Sequence, residues 1–328
     1  MPRSRLLPPL ALLLLLPAAA LADAPASAAS GGTTRAQLSF ASAALGRPLH
    51  YSIYLPPRYE EEGARRYPVV YLLHGLGGRD TDWLTMGGLA ATADRLIGAG
   101  EIPPVIVVMP DGADSWYVDS AAVGGPGDYQ TAIGRDLIGH VDATWRTVAH
   151  RGGRAIAGLS MGGYGALRLA FTAPGAFAAV AGLSAAVFPD VATADAAPGG
   201  LGIFRTAFGA PFDPARFDRL NVYGLVDDLA AVDDPPGVYL TCGDDDGFGL
   251  WRTNIELFLD LRATGVPVEF RMTDGGHTWS LWGREVADAL RFLAGRLGPF
   301  EGAPEPRLTP ASAPPPPRPR AAGSPEAG

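Results

Sequence analysis

The chain of 328 residues contains no lysine; all 26 of its basic residues are arginine. That absence excludes Schiff-base chemistry, a serine–lysine dyad and a P-loop lysine, each of which needs a primary amine. Cysteine is nearly as scarce. Cys242 stands alone, so no disulfide can form within the chain and no metal site can be built on several thiolates. A formal net charge of −8 has the wrong sign for a nucleic-acid partner. Past the N-terminal segment no long apolar run follows, so no membrane span is expected in the mature form.

What is present begins with a secretory pattern. Arg3 and Arg5 form a basic start, Leu6 to Leu16 an apolar stretch, and Ala20-Leu21-Ala22 a small-x-small cleavage site. The apolar stretch is short for a bilayer span, which needs about 20 residues. Residues 1–22 are therefore expected to be a signal peptide, and the protein to be secreted or periplasmic. Residues 299–328 are rich in Pro and Ala, with the run Pro314 to Pro317. Such a composition buries no core and is expected to be a disordered tail, a spacer or a tether. The remainder, 33–298, has the length of one α/β domain.

Within it, apolar runs alternate with helical patterns. Strands are expected at His50–Leu55, Val69–Leu73, Val105–Met109, Ala155–Leu159, Ala178–Leu183, Val238–Thr241 and Val268–Met272. Most lack alternation, as strands covered on both faces do. Apolar spacing near 3.6 predicts helices at Leu89–Ile97, Tyr129–Trp145, Gly162–Phe171, Thr253–Leu261 and Leu281–Leu297. The order predicts an α/β fold: a doubly wound, mostly parallel sheet of about eight strands with helices on both faces. Residues 186–236 are irregular and carry Phe204, Phe208, Phe212 and Phe217. Two placements fit this insertion, against the site or as a surface connection.

Gly158-Leu159-Ser160-Met161-Gly162 follows a strand and opens a helix. A serine on such a turn is held exposed, and the helix N-terminus aims N–H groups where an oxyanion would form. A serine hydroxyl needs a base, and the base needs an orienting acid. In chains with a serine elbow the order is serine, acid, histidine. After Ser160 only His277 remains as a base. It lies beyond the last strand, in a loop with Gly275 and Gly276. The acid is expected in Asp244-Asp245-Asp246, directly after the Val238–Thr241 strand. A calcium-binding or merely solvated acidic turn is the competing reading of that triplet. The oxyanion donors are expected to be the N–H groups of Met161 and Leu76, the latter in His74-Gly75-Leu76-Gly77-Gly78. His50, His140 and His150 carry no expected role. Substrate is expected against His74, Gly75, Trp116, Tyr117 and Trp279, with His74 also bracing its loop rather than acting as a base.

These stretches together resemble the esterase family of α/β-hydrolases that includes esterase D, the tributyrin and feruloyl esterases and the mycolyltransferases. The resemblance runs from about Leu45 to Leu297. It is carried by Tyr71 to Gly78, Ser115-Trp116-Tyr117-Val118, Gly158 to Ala166, Cys242 to Asp246, and Gly275 to Trp279. It implies an α/β-hydrolase fold and serine-dependent ester hydrolysis with no metal and no organic cofactor. It also implies that the acid is the last residue of a Cys-Gly-x-x-Asp pattern, which falls on Asp246, with Asp244 and Asp245 in reserve.

The expected activity is therefore that of a serine carboxylesterase working through an acyl-enzyme with Ser160, His277 and Asp246. Its partner is expected to be a small or carbohydrate-linked ester. An acyltransferase passing the acyl group to a sugar hydroxyl is one alternative. A non-catalytic binding module on the same fold is the other.

Overall fold

Uninterrupted apolar runs make strands that must be covered on both faces, and the computed structural model shows this directly. It describes residues 31–298; the segments expected to be signal peptide (1–22) and tail (299–328) lie outside them. In β3 (Val69–Leu73), Val69, Tyr71 and Leu73 join one apolar cluster while Val70 and Leu72 join another on the opposite face. Every residue of this strand is buried.

Eight strands form one sheet. The others are β1 (Thr33–Ser42), β2 (Arg47–Leu55), β4 (Ile106–Pro110), β5 (Arg154–Leu159), β6 (Ala179–Leu183), β7 (Gly237–Gly243) and β8 (Val268–Thr273). Their order across the sheet is β1-β2-β4-β3-β5-β6-β7-β8. The first two pairings, β1 with β2 and β2 with β4, are antiparallel, and the rest are parallel. Chain order runs one way from β3 to β4 and the other from β3 to β5. The crevice above the carboxyl ends of β3 and β5 is thus a topological switch point, where open α/β sheets place ligands.

Helices α1 (Asp82–Thr85) and α2 (Leu89–Gly98) follow β3, while α3 (Tyr129–Thr131) and α4 (Ile138–Thr144) follow β4. After β5 comes α5 (Met161–Thr172); α6 (Val191–Ala196), α7 (Pro214–Leu220) and α8 (Val226–Ala230) lie between β6 and β7. Finally, α9 (Leu250–Ala263) follows β7 and α10 (Trp279–Arg296) follows β8. Leu89, Ala93 and Leu96 of α2 and Val286, Leu290 and Leu293 of α10 cover one face of the sheet. Helices α5 and α9 supply the other with Leu167, Ala170, Leu257 and Leu261.

Several elements depart from the sequence expectation, among them the helices α6, α7 and α8 within the insertion expected to be irregular. Strand β1 was not foreseen. It is an edge strand exposed along most of its length, and its pattern breaks at a register shift between Arg35 and Leu38 where Gln37 has φ 55°. Residues 129–145 were expected as one helix. They wind instead through a π-helical turn, Ala132–Leu137, whose wider i→i+5 bonding a 3.6 spacing does not anticipate.

Candidate active site

Ser160 sits between β5 and α5 with φ 53° and ψ −119°. A non-glycine residue in that region is strained, and its neighbours hold it there. Its N–H donates to the Leu183 carbonyl at 2.9 Å, and its carbonyl accepts from Ala186 and Tyr164, each at 3.0 Å. The turn is tight enough that only glycine fits beside it. A Cβ on Gly158 would fall 2.2 Å from the Gly162 carbonyl oxygen, and one on Gly162 would fall 2.5 Å from that of His74. These are the small flanks that the motif requires. Opposite the serine, a Cβ on Gly75 would come within 3.4 Å of Ser160 Cβ, so the loop after β3 passes directly against the nucleophile candidate.

The His277 imidazole spans the gap between Ser160 and the end of β7. Its Nε2 lies 3.0 Å from Ser160 Oγ and its Nδ1 lies 2.7 Å from Asp246 Oδ2. Of the acidic triplet, Asp246 turns inward and is 4% exposed, while Asp244 and Asp245 face solvent. The second oxygen of Asp246 accepts from the Phe248 N–H at 2.9 Å. Behind it, the Cys242 thiol lies 3.8 Å from Oδ2. Burial first, then the adjacent Asp246 carboxylate, push this thiol well above its ordinary value, so it stands as a neutral donor. Asp244 does a different job: its Oδ1 accepts from the Gly275 N–H at 3.1 Å and ties the histidine loop to the end of β7. Trp282 meets the imidazole edge to face at 4.8 Å, and Phe248 lies across it at 4.7 Å. Together they fix the ring's plane.

Met161 is the first residue of α5, so its N–H has no carbonyl within the helix to bond. Among the described residues, the Leu76 N–H also donates to no backbone or side-chain group. The loop holding Leu76 is latched on either side: the Gly77 N–H donates to Asp114 Oδ1 at 2.7 Å, and Gly78 N–H to the Gly75 carbonyl at 3.1 Å.

A cavity of about 370 Å³ opens at Ser160 and His277. Of the residues expected against substrate, Gly75, Trp116 and Trp279 line it. His74 and Tyr117 do not, which corrects the sequence expectation. The His74 ring is 1% exposed and wholly engaged: Nε2 accepts from the Gly112 N–H at 2.8 Å, and Nδ1 donates to the Gly75 carbonyl at 2.7 Å. Tyr117 is buried, with its hydroxyl donating to the His74 carbonyl at 2.9 Å and its ring packed on Gly165 of α5. Both brace the elbow from below. Trp116 and Tyr117 each have positive φ, 52° and 53°, and this reversal sends one ring to the cavity and the other beneath it. The insertion contributes Ala186, Phe188 and Ile203 to the cavity, and the Ile203 carbonyl accepts from Trp116 Nε1 at 3.1 Å. Part of it therefore forms a wall of the site. Sequence reasoning missed the buried Asp82 and the exposed Met86 and Phe248 in the lining; of these only Phe248, two positions past Asp246, had a positional signal.

Residues 42–293 match the family described as "Putative esterase". An esterase of Mycobacterium tuberculosis (strain H37Rv) is 31% identical over 264 residues, covering 73% of this chain. This chain spans only 55% of that relative's length. An acetyl esterase of Caldicellulosiruptor saccharolyticus is 28% identical over 234 residues, which are 69% of this chain and 82% of its own. Among solved structures, a ferulic acid esterase superposes with a TM-score of 0.67 at 27% identity, over 81% of this chain and 98% of its own. The matched span reaches from the end of β1 into α10 and contains Ser160, Asp246 and His277, so the chain belongs to this esterase family of the α/β-hydrolase fold.

Proposed function

We propose that this protein is a serine carboxylesterase that hydrolyses its substrate through an acyl-enzyme. The observation that carries the reading is the continuous hydrogen-bonded chain from Asp246 through His277 to a serine held at positive φ. Ser160 Oγ attacks the ester carbonyl carbon while its proton passes to His277 Nε2. Asp246 keeps the other imidazole proton on Nδ1 and stabilises the imidazolium as it forms. The carbonyl oxygen becomes an oxyanion, held by the N–H groups of Met161 and Leu76. Collapse breaks the bond to the alcohol, which leaves with the proton from Nε2. Water then repeats the sequence on the acyl-serine, giving its proton to His277, and releases the acid.

Every proton and charge in these steps has a partner among the chain's own groups, so the proposed mechanism draws on no metal or organic cofactor. Export of the protein, on the strength of residues 1–22, is part of the same proposal; among the described residues no helix is long and apolar enough to cross a membrane.

The test is steady-state hydrolysis of p-nitrophenyl esters, from acetate to a long acyl chain together with a feruloyl ester, by the wild type and by Ser160→Ala. We expect turnover that falls by about three orders of magnitude or more in the variant. A variant that keeps most of the activity would overturn the serine's role. Acyl-sugar exceeding free acid when a sugar acceptor is added would make the protein a transferase. Failure of the wild type to react with a serine-directed phosphonate would make it a binding module.

A further inference from the structure

Apart from His277, one charge-bearing side chain lines the cavity among the described residues: Asp82, the first residue of α1. It is 8% exposed. Its Oδ2 accepts from the Arg79 N–H at 3.0 Å. Among the described residues its other oxygen takes no hydrogen bond, and no arginine comes within ion-pair distance of either. The carboxylate lies beneath the loop that carries the Leu76 N–H, since a Cβ on Gly78 would meet Asp82 Oδ2 at 2.7 Å and His74 Nδ1 at 2.9 Å. Both ring nitrogens of His74 are engaged by backbone groups, Nε2 with the Gly112 N–H and Nδ1 with the Gly75 carbonyl, and neither bonds Asp82. Among the described residues no arginine lines the cavity.

The lining is therefore unlike in kind. Trp116, Phe188 and Ile203, with Met86, Trp279 and Trp282, present apolar surface, and Asp82, with Gly78 beside it, presents a carboxylate without a cation near the oxyanion loop. A buried acceptor without a cation repels a second negative charge through a medium that screens poorly, and rewards a ligand group that donates hydrogen bonds. Discrimination of this kind works by penalising the wrong partner as much as by attracting the right one.

We propose that Asp82 is a specificity-determining residue that restricts the enzyme to esters carrying no negative charge, with hydrogen-bond donors of the substrate turned toward its carboxylate. This inference rests on the hydrolase reading above. It adds the charge class of the substrate, which neither the serine elbow nor the family fixes.

Two matched pairs test it, one for each side of the ester. On the acyl side, p-nitrophenyl hexanoate is compared with the mono-p-nitrophenyl ester of adipic acid. On the alcohol side, the butyrate ester of 3-hydroxybenzamide is compared with that of 3-hydroxybenzoate. In the wild type, kcat/KM should favour the neutral member of at least one pair by about tenfold or more. Asp82→Asn keeps an acceptor for the Arg79 N–H while removing the charge, and that preference should shrink by about fivefold or more. Asp82→Ser, a residue suited to the start of a helix, provides a second neutral variant should the first fold poorly. A wild type indifferent to charge in both pairs, or a preference unchanged in both variants, overturns the inference and leaves the hydrolase reading standing. A wild type inert toward every neutral ester defeats the hydrolase reading and this inference with it.

Discussion

At the scale of single residues, the site separates groups that hold protons from groups that hold other groups in place. In the proposed mechanism Asp246 belongs to the second kind: it takes no proton itself, but orients the imidazole and stabilises its charge. Its replacement by Asn keeps the shape but offers the imidazole the wrong partner, so kcat should fall by about four orders of magnitude, the size seen for the worked serine-protease triad, with KM little moved. Asp244→Asn retains the acceptor for Gly275 and should cost far less, and equal losses in the two variants would remove Asp246 from its assigned role. Glu285 is a further buried carboxyl, on α10, accepting from the Thr273 hydroxyl where β8 gives way to the histidine loop. Burial raises it above the ordinary 4.5. The folded chain therefore keeps a proton that the unfolded chain releases. The stability this contributes is fully present below the ordinary value and is lost as pH rises through the raised one. Glu285→Gln removes that dependence, so its melting temperature should gain on the wild type as pH rises from the ordinary 4.5 through the raised value. A constant difference across that range would show that Glu285 titrates alike in both states.

At the scale of elements, what the sequence made legible follows from period and punctuation. β3 and β5 are visible because their apolar runs are bounded by turn residues, β8 because Val268, Phe270 and Met272 alternate with polar residues, and the serine elbow because glycines at 158 and 162 admit no Cβ. β1 was hidden because an edge strand faces solvent and needs no apolar pattern. The inward turn of Asp246 was legible through the family's spacing, whereas the burial of His74 and Tyr117 was not, because a sequence does not say which way a loop side chain points. The insertion's aromatic residues fall between these cases. Their number was plain, and their destination was not. In the structure Phe204 is fully buried, its ring centroid 4.5 Å from Trp116, 5.0 Å from Phe208 and 5.4 Å from Phe217. Phe204→Ala should destabilise the fold by about 3–5 kcal/mol. It should also change the ratio of long-chain to short-chain ester turnover, because Trp116 is a cavity wall resting on that ring. Calorimetry and the p-nitrophenyl series read the two effects separately, and an unchanged acyl ratio would mean that the wall stands without the cluster.

At the scale of the whole molecule, stability rests on two apolar layers and a single sheet, with no covalent link between distant parts. Cys242 is fully buried and its thiol is held neutral, and the thiolate is the reactive form. Reductant should leave the melting temperature and the activity unchanged. An aromatic disulfide reagent should label the native protein no faster than it unfolds, and rapid labelling without loss of structure would contradict the burial of β7.

Ser160 and His277 are 117 residues apart in the chain, and they meet only when β5, β6, β7 and β8 lie side by side in register. No fragment, and no collapsed chain with a slipped strand, brings them together. On the hydrolase reading, a stoichiometric phosphonate that bonds to Ser160 is thus a census of native molecules: the fraction labelled counts correctly assembled sheets in a purified preparation, whatever its history.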